Sequence, residues 1–312
     1  MDAGQPLRVL FHLTSIQDTI RIASTSGAGE GTAAQHKPVF LWTVFFKIDG
    51  DTTVVNESLR LEGTATVVGT PGNHGDLGKT NSVTPPGVTV TIPIPAQLGQ
   101  FGTVLKPIPL NKPIANVQSV PGAVGCVALL IEEGDIPADA VAKGHDALNS
   151  TLQIQLNQII TTLGITKQQP TPDDISAMTQ AVSDAVESAI KNSLSSWQKI
   201  VAVVLGADEM LGHSLFEFMG DKLAQAPPSG IVLHDLYQSG GAGSASDPSG
   251  TVIDDVSITQ DYDLNGVLFC DPLNSSLTRF LQSQSLPLDR GIRSLMQPQF
   301  ASVKTWMASV PW

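Results

Sequence analysis

Aromatic side chains are scarce in this 312-residue chain, 5% of the total with ten Phe, four Trp and two Tyr, so any interior has to be mainly aliphatic. Charged residues are also few, 15% against 41% hydrophobic, which excludes a chain held unfolded by low hydrophobicity and self-repulsion. Basic residues are the scarcer sign. Seventeen Lys+Arg face 29 Asp+Glu for a formal charge of -12, and no basic run offsets it locally. That field repels phosphate backbones and excludes nucleic acid as a partner; it also opposes anionic lipid unless a cation or an apolar patch intervenes. Membrane contact, where it occurs, is therefore expected to be peripheral and assisted.

Cysteine is nearly absent. Cys126 and Cys270 lie far apart in apolar, strand-like runs, and a chain of this size needs no disulfide staples, so both are read as buried reduced thiols. Long hydrophobic runs are missing too: 123–131 and 200–205 fall well short of the roughly 18 residues that cross a bilayer. The start, Met1-Asp2-Ala3-Gly4, lacks a basic stretch followed by an apolar one. A cytoplasmic location, or export without a cleavable signal peptide, is expected.

Catalytic and cofactor signatures are largely missing. Asn73-His74-Gly75-Asp76-Leu77-Gly78-Lys79-Thr80 is one residue away from a phosphate-binding loop, but prolines and a strand follow it where a helix must start. Gly27-Ala28-Gly29-Glu30-Gly31 lacks the spacing of a dinucleotide fingerprint. There is no Gly-x-Ser-x-Gly elbow, and His12, His36, His74, His145, His213 and His234 stand singly, without a zinc-ligand spacing. Adjacent side chains diverge on a helix, so His145-Asp146 is read as structural. Glu132, Glu133 and Asp135 are read as helix-dipole partners or solvated turn residues. The expectation is no catalytic residue and no bound cofactor, with an enzyme whose site is assembled from distant loops as an alternative.

What is present is a change of rhythm. Strand-like patterns cover 8–16, 39–48, 52–56, 64–68, 88–94 and 125–132, with 39–48 apolar on both alternating faces as a central strand requires. Asp49-Gly50-Asp51 is the best hairpin signal. Prolines at 85, 86, 93, 95, 107, 109 and 113 keep that region out of long helices. Beyond Pro137 the apolar positions Val141, His145, Leu148, Leu152, Leu156, Ile159 and Leu163 recur every three or four residues, the period of an amphipathic helix. Thr171-Pro172-Asp173-Asp174 starts a second, in which Thr171 can cap free amides, with a stripe at Ile175, Met178, Val182, Val186, Ala189, Ile190 and Leu194. Strands are expected again at 200–205 and 213–218, a flexible linker at 239–250, a strand pair at 252–258 and 262–269, and a short helical tail over 277–310.

An early strand, an aromatic-rich second strand and the segment Ala207-Asp208-Glu209-Met210-Leu211-Gly212-His213-Ser214-Leu215-Phe216 resemble the layout of C2 domains, over about 7–60 and 197–219. The resemblance implies an antiparallel β-sandwich that binds calcium and lipid. Asp208 and Glu209 match the family's acidic stretch, and Asp18, Asp49 and Asp51 are the further oxygen donors available from neighbouring loops. Hard cations want six or more oxygens, and surface turns are the bland reading of the same aspartates. The strand before the stretch ends Val203-Val204-Leu205-Gly206, where calcium-binding members carry more aspartates, and the helical insert is foreign to a simple C2 domain.

The expected fold is thus α+β: a C2-like antiparallel sandwich over 7–136 and 197–270, a helical hairpin inserted at 137–196, and a tail at 271–312. The expected function is that of a non-catalytic interaction or structural protein presenting the hairpin for protein or self-association. A calcium-assisted peripheral membrane module or toxin-like effector is the other alternative.

Overall fold

The computed structural model describes residues 4–22, 33–36, 39–69, 77, 83–132, 138–164, 171, 173–174, 176–188, 210–246 and 252–272. Along the chain, β1 (Leu7–Ile22) is followed by β2 (Ala34–Gln35), β3 (Val39–Ile48), β4 (Thr53–Val55), β5 (Leu61–Gly63), β6 (Thr66–Gly69), β7 (Val83–Thr84) and β8 (Thr89–Pro93). A single turn, α1 (Ala96–Gly99), leads into β9 (Gln100–Leu105), β10 (Ile108–Ile114), β11 (Val117–Val120) and β12 (Ala123–Glu132). Then come α2 (Ala138–Thr162) and α3, the helical positions 173–174 and 176–188. The described chain closes with β13 (Met210–Met219), α4 (Gly220–Leu223), β14 (Ile231–Ser246) and β15 (Val252–Pro272). The molecule is strand-rich, mostly antiparallel, with few helices.

The aliphatic runs at 39–48 and 123–132 become neighbouring antiparallel strands, β3 and β12, in a sheet ordered β13-β12-β3-β6. All ten residues of β3 are buried, so both faces of this middle sheet have to be covered. Because successive side chains alternate, each face receives its own set. Phe40, Trp42, Val44, Phe46 and Ile48 join a cluster with Leu148, Leu152 and Leu156 of α2 and Met178, Val182 and Val186 of α3. Val39, Leu41 and Phe45 face the other way, into a cluster with Leu7, Val9, Phe11, Tyr262, Leu264 and Leu268. That second cover is a five-stranded sheet, β14-β15-β1-β8, with β9 also on β1. A small sheet, β11-β10-β4-β5, completes the helical side.

β1 serves two neighbours in succession: Leu7 to His12 pair with β9, and Ser15 to Thr19 pair with β8. A register shift between Leu13 and Ser15 separates the halves. It also changes the inward phase. Val9, Phe11 and Leu13 point into the core before it, and Ile16, Asp18 and Ile20 are buried after it.

Several expectations are altered. Asp49-Gly50-Asp51 makes no hairpin, because β4 pairs with β5 and, in parallel, with β10, while β3 pairs with β12 and β6; the turn is a corner between sheets. Glycine is required there by close approach, since a Cβ on Gly50 would lie 2.2 Å from the Pro107 carbonyl oxygen. The expected linker at 239–250 is strand as far as Ser246, because its backbone extends the ladder with β15 and a ladder asks nothing of side chains. The expected pair at 252–269 is one 21-residue strand, as the polar Gln260 and Asp261 that suggested a break find side-chain partners within the sheet. Residues 231–238 add strand to the expected elements, as the first half of β14. At the start of α3, Thr171 Oγ1 and its amide both donate to Asp174 Oδ2 at 2.9 Å, so Asp174 reaches back to Thr171. Both cysteines are free, Cys126 buried and Cys270 half-buried. The strand expected at 200–205 and the tail at 277–310 lie outside the described residues.

The α2 stripe is core, and its outer side is solvent-facing at Ile154, 56% exposed. Leu152→Ala should therefore cost about 2–5 kcal/mol in urea denaturation, whereas Ile154→Ala should stay within about 0.5 kcal/mol.

Candidate functional site

The inner face of the second half of β1 carries an unusual residue for a core, Asp18, fully buried opposite Tyr262 of β15. Gln260, two residues along β15 and so on the same face, donates from Nε2 to both carboxylate oxygens, at 2.8 and 2.7 Å. His36, just after β2 and also fully buried, places Nδ1 2.8 Å from Asp18 Oδ2, close but off the hydrogen-bond axis. Its other ring nitrogen, Nε2, lies 2.7 Å from Oγ1 of Thr84 on β7. The pairing of Ala34 with Thr84 in the β2–β7 ladder holds this hydroxyl over the ring.

The electrostatics follow from burial. Loss of water raises the Asp18 pKa above the ordinary carboxylate range, partly countered by His36 and Gln260. Burial likewise pushes the Tyr262 phenol up, with Asp18 and Glu132 adding to the effect. The Tyr262 hydroxyl is buried and has no hydrogen-bond partner among the described residues. A carboxylate only accepts, so Nδ1 is assigned the His36 proton and Nε2 is left to accept from Thr84. Thr84 is half-buried, and next to it Val83 is 58% exposed. The series Asp18, His36, Thr84 thus runs from the interior to the surface.

The other acidic positions fall elsewhere. Asp49 and Asp51 lie together at the end of β3, where Lys47 Nζ contacts Asp49 Oδ2 at 3.0 Å and Asp51 Oδ2 at 2.6 Å. Lys106 Nζ contacts Asp51 Oδ1 at 2.6 Å, and the Lys106 amide donates to Asp49 Oδ2 at 3.0 Å. These lysines hold the Asp51 carboxyl below its usual range. Lys106 adjoins the Leu7 end of β1 through the Leu7–Leu105 pair, so Asp18, eleven residues along, is some 35 Å away by strand length. Asp208 and Glu209 lie outside the described residues, among which no group of three or more His, Cys, Asp or Glu could hold a metal ion. Of the phosphate-loop-like segment only Leu77 is described, and Gly27 to Gly31 lie outside. His145 is buried, stacked on Trp42 with centroids 5.7 Å apart, its Nε2 3.2 Å from the Thr43 carbonyl oxygen. No helix among the described residues is long and apolar enough to cross a membrane.

Neither protein-family models nor curated proteins give a match to the chain. The sequence pattern makes Asp18 a loop oxygen donor or a surface-turn aspartate and His36 a solitary histidine, and gives Thr84 no role; Asp18 is instead buried within β1. The available signal was the alternation Ile16, Asp18, Ile20, which puts the aspartate on the apolar side of its strand.

One more carboxyl departs from normal. Glu217 on β13 is raised to about 7 by burial, with Glu187 and Asp184 adding to the rise and a hydrogen bond from Ser183 opposing it. Its folded pKa exceeds the unfolded one, so the native state retains this proton longer and stability should fall as pH rises from about 4.5 to about 7. Glu217→Gln should flatten that part of a melting-temperature profile. At the other cluster, Lys47→Met leaves the fully buried Asp49 without its cation and should cost about 3 kcal/mol in chemical denaturation.

Proposed function

We propose that the chain is an interaction or structural protein on a C2-like sandwich, and that it associates with a second copy of itself through the free edge of β14. In this reading 7–136 and 197–270 are the two parts of the sandwich, 137–196 its helical insert and 271–312 a tail. Among the described residues, Leu148, Leu152 and Leu156 of α2 and Met178, Val182 and Val186 of α3 are occupied inside the molecule, so in this reading the hairpin supports the middle sheet and association passes to another element.

The observation that carries the reading is the β14 edge. This strand has 16 residues, about three times the usual length, and pairs on one side with β15; among the described residues no ladder occupies its other side. Long exposed edges are normally blunted by lysine, proline or inward-pointing charge. Residues 231–246 contain no Lys, Arg or Pro. Val232 and Leu236 are 75% and 57% exposed on the outward face, and Val232 stands opposite the half-buried Val267. Pairing two such strands antiparallel about a two-fold axis would join two apolar stripes and satisfy both rows of backbone groups without leaving a new edge. Within 231–246 the ionisable residues besides Tyr237 are His234 and Asp235, so the segment carries little of the repulsion between two chains of net charge -12.

Light scattering after gel filtration should give a dimer that is strengthened by salt, because salt screens the general repulsion and leaves the backbone pairing intact. Replacing Val232 and Leu236 with Lys should give a folded monomer whose melting temperature no longer rises with protein concentration. A native chain that remains monomeric at high concentration and high salt would sink the reading.

A further inference from the structure

We propose that Thr84, His36 and Asp18 form an acyl-transfer site for activated carboxylic esters, with Thr84 as nucleophile and His36 as its base. The inference goes beyond self-association and does not depend on it.

Three observations carry it. The first is connectivity: Thr84 Oγ1 lies 2.7 Å from His36 Nε2, and Asp18 Oδ2 lies 2.8 Å from Nδ1 of the same ring, within ion-pair distance though off the hydrogen-bond axis. That is the arrangement in which a base takes a hydroxyl proton while an acid group fixes its tautomer. The second is the gradient of exposure, since only the hydroxyl end is near solvent. A nucleophile has to meet substrate, whereas its base and the group orienting that base gain from exclusion of water. The third is that Asp18 is itself held: Gln260 binds both its oxygens, and β1 and β15 fix its backbone. Beside it lies the Tyr262 hydroxyl, which has no hydrogen-bond partner among the described residues.

The reaction balances with water alone. Thr84 Oγ1 attacks the ester carbonyl carbon as its proton passes to His36 Nε2. The carbon–oxygen bond to the alcohol breaks, and the alcohol departs with that proton. Water then attacks the acyl-threonine, losing a proton to Nε2; the carboxylic acid leaves and Oγ1 recovers its hydrogen. Thr84 and His36 are the catalytic residues, and Asp18 and Gln260 are positioning residues. The acidic surface favours neutral or cationic esters over anionic ones.

The full chain incubated with p-nitrophenyl acetate in mildly alkaline buffer should acquire an acetyl group on Thr84, located by peptide mapping. Nitrophenol release should fall about 100-fold or more in Thr84→Val and His36→Gln and persist in Thr84→Ser. In Asp18→Asn, nitrogen NMR of the His36 ring should show the proton moved from Nδ1 to Nε2, a change that mere support of the fold would not produce. No acetyl on Thr84 of the native chain, or release unchanged in a folded Thr84→Val, overturns the proposal. Where a variant fails to fold, mapping on the native chain decides alone.

Discussion

The architecture depends on two strands that have no wet side. β3 and β12 lie side by side with both faces dehydrated, so their backbone polarity is satisfied by the ladder and their side chains have to find apolar company in two directions. One direction is met by the sheet that contains β1 and β15, the other by the helices and the small sheet. Neither covering is optional. The helical segment is therefore as much a part of the core as the strands, whatever its position in the chain.

Close approach at single positions sharpens this packing. A Cβ on Gly144 of α2 would meet the Trp42 ring at 2.5 Å, and one on Gly125 would meet the Phe46 ring at 2.3 Å. With so few aromatic residues available, the two that dominate this face are seated against glycines. Trp42 is then also stacked by His145, a polar residue whose place in an apolar helical stripe is explained by its ring contact and its approach to the Thr43 carbonyl.

Much of this organisation was legible in the chain. The doubly apolar run at 39–48 announced a central strand, and the three-and-four spacing from Val141 to Ile159 announced the face of α2 that is now buried. Less legible was anything decided by pairing partners. Asp49-Gly50 has hairpin chemistry, yet the next strand joins another sheet; Ser239 to Ser246 has linker composition, yet its backbone is captured by β15. Turn and linker propensities are local, and they yield where a long ladder is already in place. The candidate site was hidden for a related reason. Asp18, His36, Thr84 and Gln260 are spread over more than 240 positions, none within a motif, and only the folding of β1 against β15 and of β2 against β7 brings them together.

The irregularity between Leu13 and Ser15 has a consequence for how this chain tolerates change. A β-strand is a two-beat code, and that extra beat decides which residues of everything downstream are read inward. If the same sequence ran through that point in unbroken alternation, Gln17 and Thr19 would turn toward the interior and Asp18 toward water. The polar cluster would be dismantled without altering a single member of it, so its presence is a property of strand phase as much as of composition.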